Sequence, residues 1–414
     1  MSVRLRQDAE QIIRESIARV LPDAAVIKAL ENKEFSGGKV YLAAVGKAAW
    51  QMARAATAQL GEKLERGIVV TKYGHAKGRL DRVQCYEGGH PVPDENSFRG
   101  TEAILEMTAE LTQEDTVLFL LSGGGSALFE QPLVPLEELQ DITAQLLASG
   151  ADIVEMNTIR KRLSGVKGGK FALHCAPARI FSVVLSDIIG DPLDMIASGP
   201  ACPDSSSSAE ALAIADKYHL RLSQQTRKLL EQETPKIIEN TETIISGSVR
   251  ELCASAAEEC RNLGYEPLIL TEQLNCEARE AGVFLSSIAK TYEGTGKKLA
   301  FIAGGETVVH VKGKGKGGRN QEMALAAADG LSGLKHAAFF SVGSDGTDGP
   351  TDAAGGYVDG STKTQLAQKG ADLYTFLEEN NAYEALKLCD GLIITGPTGT
   401  NVNDLSVLLL QGQD

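Results

Sequence analysis

Glycine and polar residues follow several apolar runs of the sequence, where strands of an α/β protein would end. Lys47 follows the run 39–45, and a glycine-rich loop follows the run 116–121. The members of that loop are Ser122, Gly123, Gly124, Gly125 and Ser126. Glycines let backbone N–H groups approach a phosphate or carboxylate closely, and a lysine at a helix start can share the same anion. A tight packing turn and a solvated lysine are the alternative interpretations.

A basic segment spans residues 160–170 of an otherwise acidic chain. Arg160, Lys161 and Arg162 are most simply interpreted as a solvated helix face. Lys167 and Lys170 flank glycines, as in a ligand-binding loop. The run GVKGGKF is one residue too short for a P-loop and lacks the Ser or Thr after the lysine, so we exclude that motif. We expect Arg160 and Lys167 to contact a substrate or nucleotide.

Carboxylates follow two other apolar runs. Asp187 and Asp191 come after the run 180–185, and Asp345 and Asp348 lie in a glycine-rich loop after the run 337–342. Carboxylates at strand ends can hold Mg²⁺, and they can also accept a proton from an attacking hydroxyl. An Asx turn or a helix cap is the alternative interpretation. We expect Asp187, Asp345 and Asp348 as metal ligands and Asp191 as a ligand contact.

The C-terminal part of the sequence adds a second group of polar candidates. Glu306 precedes an alternating Lys-Gly stretch, residues 312–318, which we interpret as a mobile cationic loop able to close over phosphates. Arg319 begins a helix there, where the helix dipole disfavours a cation. Asn320 and, in a later loop, Asn401 offer amide groups to a polar ligand.

The elements that position these residues alternate between strand and helix, which predicts a mostly parallel sheet with helices on both faces. We expect two α/β domains, residues 1–240 and 241–414, because the chain is too long for one ordinary core. The predicted strands of the second domain include residues 307–311. We also expect the loops of both domains to converge on an interdomain cleft. Anion-binding loops, cations and carboxylates together are what phosphoryl transfer requires.

Composition excludes several classes of partner. A net charge of −14 argues against nucleic-acid binding. The seven cysteines form no CxxC pair, which disfavours a disulfide framework or a structural zinc site and is typical of a cytoplasmic protein. No apolar run approaches the length of a membrane span. The oligomeric state, a monomer or a homodimer, stays open.

Seven segments resemble those of a known family, and they occur in the family's order. They are VGKAAW, GGHPVPDENS, LLSGGGSALF, LSDIIGDPLDMIASGPACPD, GGETVVHVKGKGKGGRNQE, GSDGTDGPTDAAGG and TGPTGTNVNDL. Along essentially its whole length the chain resembles the class II glycerate kinases, the glycerate 2-kinase or MOFRL family.

The resemblance implies a Rossmann-like N-terminal domain, a mixed α/β C-terminal domain and an active site between them. It also implies transfer of a phosphoryl group from ATP, with Mg²⁺, to the 2-hydroxyl of D-glycerate. Lys47 and Arg319 match the family's proposed catalytic cations, and Asp187 matches a base or metal ligand.

Two other functions are alternatives to phosphoryl transfer. A hydroxypyruvate reductase that uses NAD(P)H would be expected to carry GxGxxG after its first strand, whereas the turn here is VGKAA, with one glycine. A non-catalytic metabolite-binding protein rarely needs both cations and carboxylates in its loops. We therefore favour phosphoryl transfer.

Overall fold

The chain divides into two compact units that are not consecutive in sequence. The structure, a computed structural model, describes residues 2–35 and 37–412. One unit is Pro22–Ser246, and the other joins Met1–Leu21, with helix α1 (Ser2–Arg19), to Gly247–Asp414. This division differs from the predicted boundary after residue 240 mainly because α1 packs with elements more than 200 residues away. Its apolar face, which includes Leu5, Ile12 and Ile13, lies in the core of the second unit.

The sheet of the first unit has the order β3-β2-β1-β4-β5-β6. Its strands are β1 (Val40–Val45), β2 (Leu64–Lys72), β3 (Val83–Gly88), β4 (Thr116–Leu121), β5 (Arg179–Leu185) and β6 (Thr241–Gly247). The neighbours from β3 to β5 all run parallel. The central strands β1 and β4 are almost continuously apolar because both faces of the sheet are covered.

Helices and two short 3₁₀ turns complete this unit. The helices are α2 (Pro22–Leu30), α3 (Ala49–Leu60), α4 (Glu95–Thr108), α5 (Gly125–Leu128), α6 (Leu136–Ala148), α7 (Ile153–Arg162), α8 (Lys170–Cys175), α9 (Ser208–Lys217) and α10 (Gln224–Leu230). The 3₁₀ turns are Gly61–Lys63 and Ile196–Ser198. Helices α4 and α7 begin with capping boxes, in which an aspartate accepts a hydrogen bond from the third helical residue. These caps fix where the chain leaves the preceding loops.

The second unit has a mixed sheet of order β11-β10-β9-β12-β8-β7. Its strands are β7 (Glu266–Leu274), β8 (Leu299–Gly305), β9 (Ala337–Gly343), β10 (Gly355–Asp359), β11 (Leu392–Ile393) and β12 (Asp404–Leu410). The C-terminal strand β12 lies between β8 and β9 and runs antiparallel to both. Its seven residues are all buried, which makes it a central element of the unit.

The remaining helices of this unit cover the mixed sheet. They are α11 (Val249–Asn262), α12 (Ala278–Tyr292), α13 (Arg319–Leu331), α14 (Thr362–Gln368), α15 (Leu373–Glu378) and α16 (Ala382–Leu388). Within the described ranges, no helix combines the length and the apolar composition that crossing a bilayer requires.

The two-domain α/β fold is confirmed, and single elements differ from expectation. The strand predicted at residues 307–311 is wrong, since only Val308 forms an isolated bridge, to Glu277. Strands β3, β10 and β12 were not predicted. The stretch 312–318 is not a loose loop either, because Asn380 Oδ1 accepts the N–H groups of Lys312 (2.7 Å) and Gly313 (2.9 Å).

Candidate active site

The first sheet reverses its strand order between β1 and β4. In open α/β sheets ligands bind at such a switch point, in the crevice outside the carboxyl ends of the strands. Lys47 follows β1 and the loop 122–126 follows β4, so the two best sequence candidates flank this crevice. Asp187 follows the next strand, β5.

Backbone hydrogen bonds join the turn after β1 to the loop after β4. The Lys47 N–H donates to Gly123 O (2.9 Å), and the Ala48 N–H donates to Ser122 Oγ (3.1 Å). Gly46, directly before Lys47, has a φ of 117°, and a methyl group there would lie 2.3 Å from Ser122 Oγ. Only glycine permits this approach, which fixes the two turns against each other.

The side chains of Lys47 and Asp187 both border Gly123. A methyl group built on Gly123 would lie 2.4 Å from Asp187 Oδ2 and 3.6 Å from Lys47 Cε. The glycine therefore leaves room for a carboxylate and for the stem of an ammonium group at one place. Phe129 directly follows α5, and its ring centroid lies 5.1 Å from that of Phe171 in the core. This contact holds the end of the glycine-rich loop against the core.

Two histidines that sequence reasoning missed lie at the same edge of the sheet. His75 Nδ1 is 2.9 Å from Lys47 O, and the His90 ring lies beside Gly124. Burial lowers the pKa of His90, and the charges of Lys47 and Lys72 lower it further. The segment GGHPVP would have pointed to His90 had β3 been predicted.

A hydroxyl pair stands behind the glycine loop. Ser126 Oγ is 3.2 Å from Ser198 Oγ, and Ser198 donates to Asn157 Oδ1 (3.0 Å). Ala197 and Ser198 both have positive φ, 49° and 62°. Such strain in non-glycine residues clusters at functional sites, so the pair extends the candidate site.

The basic segment is largely interior, which corrects the solvated-face interpretation. Lys161 is buried in an ion pair with Asp204 (2.9 Å), and Arg162 is buried with a hydrogen bond to Ser206 O (3.0 Å). Lys167 pairs with Glu130 in the core; burial lowers the pKa of Lys167, and Glu130 opposes that shift.

Two neighbours of that segment are placed differently. Arg160 lies half-buried in the last turn of α7, and burial lowers its pKa. The ammonium group of Lys170 donates hydrogen bonds to three backbone carbonyls, those of Lys161, Arg162 and Ser164. Ligand contact by Arg160 and Lys167 stays a prediction.

Asp191 lies in the loop after β5 with a left-handed backbone (φ 52°). Its Oδ1 atom is buried and has no hydrogen-bond partner among the described residues. A buried carboxylate oxygen without a partner is unfavourable unless a cation or a donor reaches it. The loop thus has a free acceptor close in sequence to Asp187.

In the second unit, two carboxylates hold Arg319. Asp404 binds it through two contacts, Nε–Oδ2 (2.5 Å) and Nη2–Oδ1 (3.0 Å), and Glu306 Oε1 lies 2.7 Å from Nη1. Burial lowers the pKa of Arg319, but Asp404 and Glu306 outweigh it and the pKa lies above its usual range. Asp404, which begins β12, was missed as a site residue.

The acidic loop after β9 has structural contacts. Asp348 accepts the N–H groups of Asn320 (3.2 Å) and Gln321 (2.9 Å) and so caps α13. Burial raises its pKa to about 6. Asp345 closes an Asx turn on Thr347 (2.9 Å).

No group of three or more potential metal ligands occurs in the ranges that the structure describes. Metal binding by Asp345 and Asp348 stays a prediction. Asn320 is buried, with Ser341 Oγ donating to its Oδ1 (2.5 Å), whereas Asn401 is exposed. Their contacts with a ligand also stay predictions.

Comparisons with known proteins agree along the whole chain. A family model described as "Domain of unknown function (DUF4147)" matches residues 8–231, and one described as "MOFRL family" matches residues 299–404. A D-glycerate 2-kinase from Thermotoga maritima is 52% identical over 98% of this chain and 98% of its own. A glycerate 2-kinase from Pyrococcus horikoshii is 40% identical over 99% and 98%.

A third relative and a solved structure complete the comparison. A protein from Agrobacterium vitis, 36% identical over 99% of this chain and 95% of its own, bears only a provisional name, hydroxypyruvate reductase. A crystal structure of a glycerate kinase from Thermotoga maritima superposes with a TM-score of 0.94 at 52% identity, over 98% of this chain and 99% of that chain. The chain therefore belongs to the MOFRL family of class II glycerate kinases.

Proposed function

We propose that this protein is an ATP-dependent glycerate 2-kinase, which transfers the γ-phosphoryl group of ATP to the 2-hydroxyl of D-glycerate and releases 2-phosphoglycerate and ADP. The observation that carries the proposal is the placement of Lys47 and Asp187 against Gly123 at the switch point of the first sheet. The names of the relatives supply the substrate, and the loop geometry supplies the chemistry.

The residues at Gly123 have complementary roles in this reaction. The Lys47 ammonium offsets negative charge on the phosphoryl group as it is transferred. The Asp187 carboxylate accepts the proton of the attacking 2-hydroxyl. His75 holds the Lys47 carbonyl (2.9 Å), so the main chain of the lysine is fixed before a substrate binds.

Mg²⁺ is proposed as the metal of the reaction, and the loop after β5 fits it. Asp187 and Asp191 are carboxylates, the ligand type that Mg²⁺ prefers, and Asp191 Oδ1 is buried without a partner in the described chain. When bound, the ion would neutralise phosphate charge. Asp187 then serves as base or as metal ligand, and both roles remain in the proposal.

Arg319 is proposed as a second cation. Three of its N–H groups bind Asp404 and Glu306, and a guanidinium carries five. The bidentate contact with Asp404 fixes the plane of the guanidinium, so its remaining donors have a set direction. A group held in this way needs little reorganisation when it binds a phosphate.

The cytoplasmic location also stays a prediction. All seven cysteines lie in described parts of the chain and none forms a disulfide, which is compatible with a reducing compartment.

The test is identification of the product by phosphorus NMR after incubation with ATP, Mg²⁺ and D-glycerate. We expect 2-phosphoglycerate and ADP in equal amounts. Formation of 3-phosphoglycerate would contradict the proposed position of transfer. Oxidation of NADH by hydroxypyruvate, with no consumption of ATP, would favour a reductase.

A further inference from the structure

We propose that His90 is a substrate-binding residue whose imidazole hydrogen-bonds the hydroxy acid that accepts the phosphoryl group. The inference rests on the proposed function and adds a residue to its acceptor site. The motif that contains His90, GGHPVP, had no role in the sequence-based prediction of the site.

The chain delivers His90 to the site from the edge strand β3. That strand ends at Gly88, and the segment after it is fixed by Asp94, the cap of α4. Tyr73, from the neighbouring loop after β2, donates its hydroxyl to Asp94 Oδ2 (2.7 Å). Both ends of the short segment are thus tied down, so the imidazole has a defined position.

The imidazole lies against the glycine loop at the point that Lys47 also reaches. A methyl group on Gly124 would be 2.8 Å from His90 Cδ2, 3.0 Å from His90 Nε2 and 3.3 Å from Lys47 Cγ. The next glycine, Gly123, borders Asp187 in the same way. His90, Lys47 and Asp187 therefore surround two consecutive loop residues.

The ring nitrogens of His90 have no hydrogen-bond partner among the residues that the structure describes, although the ring is only half-exposed. Burial lowers the pKa of His90, and the charges of Lys47 and Lys72 lower it further. The carboxylate of Asp187 raises it. A neutral imidazole offers one hydrogen-bond donor and one acceptor. A hydroxy acid carries the matching pair, a hydroxyl donor and a carboxylate acceptor.

The acceptor fits this position better than the nucleotide does. A general base must touch the hydroxyl whose proton it takes, so the acceptor has to lie beside Asp187. His90 lies against Gly124, and the preceding Gly123 borders Asp187, so an acid whose hydroxyl touches Asp187 is within reach of the His90 ring. His90 then gives that acid a directed hydrogen bond.

The experiment compares His90→Ala and His90→Gln with wild type in steady-state kinetics, with glycerate and ATP varied separately. His219→Asn is the matched control, because His219 is an exposed histidine of the same unit. Loss of one hydrogen bond to a charged ligand predicts a rise of about 10-fold in KM for glycerate in His90→Ala. KM for ATP should stay within about twofold, and His90→Gln should recover part of the loss.

The outcomes separate this inference from the proposed function. An active wild type whose KM for glycerate is unchanged in both folded variants refutes the role of His90 alone. A rise in KM for ATP instead of glycerate also refutes it. A wild type inactive on glycerate refutes the proposed function and this inference together. Thermal unfolding of each variant shows whether it is folded. If His90→Ala does not fold, the KM values of His90→Gln decide the test.

Discussion

Replacement of Gly123 by alanine tests the arrangement of Lys47 and Asp187 directly. The added methyl group would lie 2.4 Å from Asp187 Oδ2 but 3.6 Å from Lys47 Cε, so only the carboxylate is displaced. Ordinary contact requires a movement of about 1 Å, and a misplacement of that size costs on the order of 100-fold in rate. The φ of Gly123 lies outside the left-handed region, so alanine introduces no backbone strain there.

The assay is kcat for 2-phosphoglycerate formation by Gly123→Ala, together with its thermal unfolding midpoint. We expect kcat to fall about 100-fold, equivalent to about 2.7 kcal/mol of activation free energy, with a midpoint close to wild type. A folded Gly123→Ala enzyme with wild-type kcat would refute the role given to Asp187.

Three further predictions concern single side chains. Lys47→Ala should lower kcat by about 100-fold or more without loss of folding, because its ammonium serves the transferring phosphoryl group; near-normal turnover would refute that role. Arg319→Lys should also lower kcat about 100-fold, since lysine cannot keep the two-point contact with Asp404, and a kinetically silent substitution would contradict it.

The third of them is a pH dependence of stability. The folded-state pKa of Asp348 is raised by burial from 3.8 to about 6, so the folded protein holds a proton that the unfolded chain releases. This group therefore lowers the unfolding free energy as pH rises from about 4 to about 6. The measurement is the thermal unfolding midpoint as a function of pH. Asp348→Asn should remove this part of its decrease between about pH 4 and pH 6, and a pH dependence identical to that of wild type would contradict the assignment.

The first sheet shows what apolar pattern can predict. β1, β4 and β5 are buried on both faces, so their sequences are continuous apolar runs whose ends are easily placed. The residues after them, among them Lys47, Gly123 and Asp187, can therefore be predicted to lie at strand ends. The structure brings these three together.

Residues that depend on distant partners could not be found in this way. β3 is an edge strand with the mixed sequence VQCYEG, so neither it nor His90 was predicted. Asp404 begins a strand whose central position follows from antiparallel pairing with two strands far away in sequence. Lys161 lies in a basic run of the kind usually found on a protein surface. It is buried because Asp204, in a later loop, supplies its counter-charge.

The packing of α1 on elements much later in the sequence affects how the chain can fold while it is being synthesised. During synthesis α1 precedes the elements that cover its apolar face, including β9 and α11, by more than 200 residues. During that interval Leu5, Ile12 and Ile13 have no native neighbours, and burying each is worth roughly 1.5–3 kcal/mol. The residues 22–246 can meanwhile assemble their own sheet, whose strands are all contained within that stretch apart from Gly247. The apolar face of α1 therefore stays exposed until α11 and the later strands of its unit have been synthesised.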